Sequence, residues 1–294
     1  MNITEAIAQS GPDLNPFLYR EMVEMALKED LGRGGDITSE AMIDPEKKSK
    51  ARLVLREAGI VAGLPAALRA FELLDPNIEV KLHLYDGQRG ESGQTLAELE
   101  GSARALLTAE RTALNLLGHL SGIATLTRLF VDLVSHTRAE ITDTRKTLPL
   151  YRALQKYAVR CGGAKNHRLG LDDAVMLKDN HVALAGSFAA AVERIKSRIG
   201  HTVKIEVEVD TLVQLKEVLH LPVDIVLLDN MSLEELTKAV ELNQGKKILE
   251  ASGGVNESTV EKIAETGVHI ISVGALTHSV NNLDVALDMI GPLL

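Results

Sequence analysis

Three short stretches of the chain concentrate side chains that bind and move charge: TDTRKTLP (142–149), CGGAKNHR (161–168) and LKDNH (177–181). Between residues 138 and 178 there are nine Lys and Arg against four Asp and Glu, within a chain whose net charge is −9. Arg grips carboxylates and phosphates bidentately and Lys meets them as a point charge. A pocket of several cations therefore suits a substrate with more than one such group. Arg152, Lys156 and Arg160 stand apart: on a helix over LPLYRALQKYAVR they fall at i, i+4 and i+8 and are expected on one solvated face. Arg145, Lys146, His167, Arg168 and Lys178 remain as pocket candidates.

Two further groups could complete such a pocket. EASGGV (250–255) and SVGAL (272–276) put small residues at two successive strand ends, where backbone N–H groups can approach an anion. Glu208 and Asp229 are carboxylates at two other strand ends. They suit Mg2+ held jointly with substrate phosphates, or ribose hydroxyls, or they simply neutralise neighbouring cations.

These residues must be brought together by their elements. Short β-rich runs recur at 139–144, 174–179, 203–210, 223–230, 247–254 and 270–276, with amphipathic helical stretches between the later ones. Repeated strand–helix units imply a parallel sheet, and six of them with short connections favour a closed barrel over an open doubly wound sheet. In a barrel the working groups sit at the C-terminal strand ends, where Asp143, Thr144, Arg145, Lys146, Lys178, Asp179, Asn180, Glu208, Asp210, Asp229, Asn230, Ser252, Gly253, Gly254 and Gly274 all fall. Thr211, Ser232 and Asn256 stand where helix N-caps belong.

The first third has a different rhythm. PFLYREMVEMALKEDLG carries Leu18, Met22, Met25 and Ala26 at helical spacing and stops at Gly32. KARLVL alternates as a strand, and IEVKLHLYDG alternates into an Asp-Gly pair that signals a hairpin. After another short strand come one or two long helices. The expected organisation is an α+β domain over 1–115 and a barrel domain over 116–280, with residues from about 280 to 294 packing back on the first domain.

Composition narrows the class. The chain is 45% hydrophobic and 25% charged, which is ordinary for a soluble globular protein. Aromatic residues make up 3% with no Trp, and the net charge is negative, so neither a nucleic-acid nor a membrane-surface binder is expected. A single cysteine, Cys161, allows no intramolecular disulfide and no cysteine-based zinc site. The opening MNITEAIAQSGPDLNP does not read as a secretory signal, and no run is expected to approach the roughly 20 apolar residues of a membrane span. A cytoplasmic protein is expected.

The motifs ERTALNLLGHLSGIATLT, TDTRKTLPLYRALQKYAVRCGGAKNHRLGLDDAVMLKDNH, IEVEVD, VLLDNM, LEASGGV and ISVGALTHS, with EDLGRGGDITSE near the start, resemble the quinolinate phosphoribosyltransferase (carboxylating nicotinate-nucleotide pyrophosphorylase) family. The resemblance covers essentially the whole chain. It implies an N-terminal α/β sandwich domain and an incomplete parallel α/β barrel, the type II phosphoribosyltransferase fold. It also implies a pentosyltransferase that joins quinolinate to 5-phosphoribosyl 1-pyrophosphate with Mg2+, and a homodimer with shared active sites. Residue by residue, Arg111 would reach the partner's quinolinate site, and Thr144, Arg145, Lys146, His167, Arg168 and Lys178 would surround quinolinate and the pyrophosphate. Glu208 and Asp229 would face the ribose and Mg2+, with Glu206 the other candidate on the same strand face. Ser252, Gly253, Gly254, Val273, Gly274 and Ala275 would hold the 5′-phosphate. Nearby alternatives are transfer to nicotinate or another ring acid, and a barrel lyase using Lys178 as a Schiff-base amine.

Overall fold

The computed structural model describes residues 1–11 and 14–290. Twelve strands are found among them: β1 (Lys48–Leu55), β2 (Gly59–Ile60), β3 (Glu79–Leu82), β4 (Arg89–Gly90), β5 (Thr95–Ser102), β6 (Glu140–Thr142), β7 (Val175–Leu177), β8 (Ile205–Val209), β9 (Ile225–Asp229), β10 (Ile248–Ser252), β11 (Ile270–Ser272) and β12 (Val285–Ile290). The chain divides into two compact units. One comprises Met1–Arg128, Leu148–Gly163 and Ser279–Leu294; the other comprises Leu129–Thr147 and Ala164–His278. The boundary expected at 115 falls inside a continuous helix, Ala103–Val134, and the segment 148–163 belongs to the first unit.

The first unit is built on an antiparallel sheet in the order β12-β1-β5-β3. Alternation in β1 buries Ala51, Leu53 and Leu55, as a half-covered sheet requires. The C-terminal strand β12 pairs along β1, with Leu53 opposite Leu287; residues 291–294 of the expected C-terminal return lie outside the described residues.

Several local expectations are corrected in this unit. The helix after Tyr19 runs over Arg20–Leu31, and the residues it buries are Val23 and Leu27, in line with Tyr19, while Leu18 and Met25 are exposed. Two apolar stripes compete on this helix, and the one with the β-branched and aromatic members packs inward. The Asp-Gly pair at 86–87 does turn the chain, but no hairpin follows, because β3 pairs with β5 and β4 pairs with β2. Lys156 is buried, at 1% exposure, because the helix Arg152–Cys161 is sunk into its unit from Leu154 to Val159; the solvated cation is Arg160. The helix Ala103–Val134 is long and apolar enough to cross a bilayer by length and composition, contrary to the expectation, and 56% of its most apolar window is buried within the protein.

Asp86 shows why the turn is diverted. Its carboxylate is buried and accepts the N–H groups of Gly63 and Leu64, at the start of the helix Leu64–Leu74, and the Tyr157 hydroxyl at 2.7 Å. Burial pushes its pKa up to about 6, against the pull of those three hydrogen bonds. A folded pKa above the unfolded value means the native state binds this proton more tightly. The stabilisation is complete below about pH 4 and is lost as pH rises through about 6. Replacing Asp86→Asn is expected to remove roughly 2 kcal/mol of the decline in unfolding free energy across that window, read by urea denaturation at several pH values. An unchanged decline would mean that another group carries it.

The second unit carries the parallel sheet, ordered β6-β11-β10-β9-β8-β7. The six β-rich runs of the sequence correspond to these six strands. The first strand lies beside the last, which is the order of a barrel opened at one seam. At the seam, Lys165 donates its backbone N–H to Ile141 and bridges Thr142 in parallel. Residues next to both outer strands, Lys146 after β6 and Met176 and Lys178 at β7, line one cavity, so the sheet curls round a common interior. Thr211 and Ser232 cap the helices Leu212–Val218 and Leu233–Asn243 with capping boxes. Asn256 instead accepts from Ser258 in the turn before Val260–Glu265.

Candidate active site

A strand's two-residue period decides what each of these strands offers the interior. On β8, Ile205, Val207 and Val209 are buried apolar positions, while Glu206 and Glu208 line interior cavities. Leu227 and Asp229 of β9, Glu250 and Ser252 of β10, and Ser272 of β11 also line the interior. The interior of this barrel is therefore not a stack of aliphatic layers. It is a shaft lined by carboxylates and hydroxyls as well as by aliphatic side chains.

At the C-terminal strand ends the shaft widens to a cavity of about 550 Å3, a volume that suits a ligand of ordinary metabolite size. Its cationic lining consists of Arg145, Lys146, Arg168 and Lys178. The loop after β6 is set by a Thr144 hydroxyl that accepts the Lys146 N–H at 3.0 Å, and by Thr277, whose hydroxyl donates to the Lys146 carbonyl at 2.8 Å. Arg168 donates Nη1–H to the Ala174 carbonyl at 3.1 Å. Burial and the facing Arg145 cation both lower its pKa, which marks two guanidinium groups held close in partial shelter. An anion entering there meets two like charges that Glu206 and Asp173 offset only in part.

The acidic side of the same cavity is formed by Glu208 and Asp229. Lys178 Nζ lies 2.5 Å from Glu208 Oε2, and Asn230 Nδ2 donates to Asp229 Oδ2 at 2.7 Å. The two candidates on β8 are separated by depth. Glu208 is partly exposed at the strand end, whereas Glu206 is 3% exposed and lies one inward position deeper.

Ser252, Gly253 and Gly254 line the cavity after β10. Gly253 has φ +94°, and a Cβ there would come within 2.1 Å of Asn230 Oδ1 and 3.0 Å of the Asn230 backbone N. Gly254 follows at φ +62° with open space where its Cβ would be. This corner admits only glycine without strain, and it exposes backbone to whatever occupies the pocket. Gly274 follows β11 and does not line the cavity; a Cβ there would come within 3.1 Å of Lys146 Cδ and of His278 Nε2. Val273 is buried and gives its N–H to the Thr142 carbonyl, and neither it nor Ala275 lines the cavity. Arg111 is exposed on the helix Ala103–Val134 within the first unit.

Several lining residues escaped the sequence reading: Met176, Leu227, Glu250 and Ser272. Glu250 was within reach, because it lies two positions before Ser252 on one strand and so shares its face. Asn230, read from the sequence as a strand-end residue, does line the cavity, and it follows β9 with a positive φ of 53°.

The fold and pocket together define a barrel protein whose C-terminal strand ends gather four cations, two carboxylates and a glycine corner round one cavity. Comparison with known proteins gives the family. The model for "Quinolinate phosphoribosyl transferase, C-terminal domain" matches residues 123–288, and that for the N-terminal domain matches 36–121. The chain is 44% identical over 275 residues to a nicotinate-nucleotide pyrophosphorylase [carboxylating] of Mycobacterium leprae, covering 92% of this chain and 96% of that one. It is 41% identical over 276 residues to a probable enzyme of the same name from Bacillus subtilis, covering 94% and 95%. The solved structure of NadC from Streptococcus pyogenes superposes with a TM-score of 0.91 at 39% identity, covering 95% of this chain and 100% of that one. The chain belongs to the quinolinate phosphoribosyltransferase family, and the barrel-like C-terminal domain expected from its sequence is present.

Proposed function

We propose that this chain transfers the phosphoribosyl group of 5-phosphoribosyl 1-pyrophosphate to quinolinate, with loss of CO2, to give nicotinate mononucleotide and pyrophosphate. The observation that carries the reading is the close pair Arg145 and Arg168 on the same cavity as Lys146, Lys178, Glu208 and Asp229. A ring with two adjacent carboxylates matches the arginines, a diphosphate matches the lysines, and a sugar carrying developing positive charge matches the carboxylates.

Two polyanions repel each other, so the first task of the cations is to hold both at once. Positioning then supplies up to about 7–11 kcal/mol of the barrier in favourable cases. As the ribose C1–O bond breaks, Glu208 and Asp229 offset the charge that grows on the sugar, while Lys146 and Lys178 meet the charge on the departing pyrophosphate. The ring nitrogen attacks with its own lone pair, so no general base is needed. Once ribosylated, that nitrogen is cationic, and its charge stabilises the electron pair left on the ring carbon when the neighbouring carboxylate departs as CO2. A proton then takes its place on the carbon.

Glu208 and Asp229 also fit Mg2+. They are hard oxygen donors on a cavity roomy enough for a diphosphate, and Mg2+ favours one or two carboxylates plus substrate phosphates. Bound there, it would neutralise phosphate charge. Ser252, Gly253, Gly254 and Gly274 would receive the 5′-phosphate through backbone N–H groups. A lyase using Lys178 is disfavoured, because Lys178 is half-exposed and paired with Glu208, the setting of an anion-binding ammonium and not of a desolvated amine.

A homodimer with Arg111 acting on the partner's site completes the proposal, supported by the family likeness and by exposed Arg111, Phe17, Ile37 and Met42 in the first unit. A single-chain mass by light scattering would overturn that part. A soluble, cytoplasmic setting is likewise a proposal. The test of function is direct: purified protein with quinolinate, 5-phosphoribosyl 1-pyrophosphate and Mg2+ should release nicotinate mononucleotide and CO2 in equal amounts, read by mass spectrometry. No mononucleotide would refute the reading.

A further inference from the structure

Below the anion pocket the shaft narrows to a second cavity of about 250 Å3, which shares His167, Arg168 and Glu250 with the first. At this waist both nitrogens of the His167 ring are engaged by the protein. Nδ1 accepts the Arg168 backbone N–H at 2.7 Å. A nitrogen that accepts has no proton, so the ring proton is on Nε2. Nε2 lies 3.1 Å from Glu206 Oε2 and 3.5 Å from Glu250 Oε1. The two glutamates reach the waist from β8 and β10, which flank β9, and are 3% and 2% exposed. One oxygen of each, Glu206 Oε1 and Glu250 Oε1, has no hydrogen-bond partner.

His167, Glu206 and Glu250 lie close enough together to hold a metal ion. The ring argues against one. A metal on Nε2 needs a lone pair there, and a metal-bound histidine donates its other N–H outward. Here Nδ1 accepts instead. The carboxylates face a proton, and burial together with the Glu206 charge raises the pKa of Glu250 to about 7, against the opposing pull of His167.

The backbone around His167 is pinned as firmly as its ring. Asp143, fully buried at the end of β6, accepts the His167 N–H at 2.8 Å and the Asn166 amide at 2.7 Å. Arg168 needs such anchoring, because its guanidinium faces the like charge of Arg145 and is drawn the other way by Glu206.

We propose that Glu206 and Glu250 are positioning residues for the reaction: Glu206 faces His167 Nε2–H at 3.1 Å and Glu250, 3.5 Å away without a hydrogen bond, closes the ring's other side, so that His167 stays the Nε2–H tautomer and its Nδ1 fixes the Arg168 backbone. The substrate's carboxylates meet Arg145 and Arg168, and the His167 ring gives them no hydrogen bond. The sequence placed His167 among the groups around quinolinate; its ring nitrogens are already committed elsewhere. This inference rests on the dicarboxylate reading of the pocket.

Histidine-selective 15N NMR of the wild-type protein tests it without any variant that might misfold. One of the nine histidines, identified by its loss in His167→Asn, should show the neutral Nε2–H pattern. Saturating quinolinate should leave that pattern unchanged, and so should Zn2+ alone. An Nδ1–H tautomer, an imidazolium, or a change of Nε2 with quinolinate or Zn2+ would overturn the proposal. Calorimetric affinities supply the second readout. Asn places an acceptor near the Nδ1 position and Gln near Nε2, so His167→Asn should bind quinolinate about tenfold more tightly than His167→Gln, a difference of about 1.4 kcal/mol. Glu206→Gln, which still accepts from Nε2–H, should likewise outrank Glu206→Met. Reversal of either order would overturn the proposal. If the wild type fails to bind quinolinate, the function reading falls, and the tautomer in the free protein still decides whether the relay exists.

Discussion

Arg168→Ala should lower kcat/KM for quinolinate by about two to three orders of magnitude while leaving KM for 5-phosphoribosyl 1-pyrophosphate within a few-fold of its normal value. Charge-assisted hydrogen bonds to a carboxylate are worth about 1.5–3 kcal/mol each, and a bidentate guanidinium makes two. The loss is selective because Arg168 is paired with Arg145, whereas Lys178 is paired with Glu208 across the pocket. Arg168→Lys should recover only part of it, since a point charge does not replace the planar fork. The clear readout is the pair of KM values. Normal turnover with quinolinate, or equal damage to both substrates, would remove the arginine pair from the dicarboxylate site.

Gly253→Ala is expected to damage the other end of the pocket. The residue sits at φ +94°, and the added Cβ would press on Asn230, whose own φ is 53°. Holding an alanine in such a region costs about 1–3 kcal/mol, and relief requires the Ser252–Gly254 corner to move. The expected outcome is a rise in KM for 5-phosphoribosyl 1-pyrophosphate of about tenfold or more, with a Tm lower by a few degrees. A lower Tm with unchanged affinity would show that the glycines serve the turn and not the phosphate. Gly254→Ala is the companion, because open space surrounds its Cβ position and only the backbone and the pocket's occupant are affected.

Much of the barrel was legible because its signals are local. Each of the six parallel strands is a short β-rich run, and Thr211 and Ser232 announce their helices through side-chain caps. The strand-end rule then collected Thr144–Lys146, Lys178, Glu208, Asp229 and the Ser252–Gly254 corner before any coordinates were needed. What failed was decided by packing at a distance. Nothing within RALQKYAVR says that Lys156 is buried, because its surroundings come from elsewhere in the unit. The Asp-Gly pair misled for the same reason: Asp86 is bound to Gly63, Leu64 and Tyr157, far from it in sequence. The role of His167 was also hidden, since residue type marks it as a ligand for anions and only the positions of Glu206, Glu250 and the Arg168 N–H reveal its two committed nitrogens.

The central claim is that the cationic wall of this barrel's pocket is built for two carboxylates and not one. The most direct measurement is the ratio of kcat/KM for quinolinate to that for nicotinate, with the same enzyme, 5-phosphoribosyl 1-pyrophosphate and Mg2+. A pocket that leaves a buried polar group unpaired by the smaller acid should favour quinolinate by about three orders of magnitude or more. A ratio near one, or a preference for nicotinate, would contradict the clamp formed by Arg145 and Arg168.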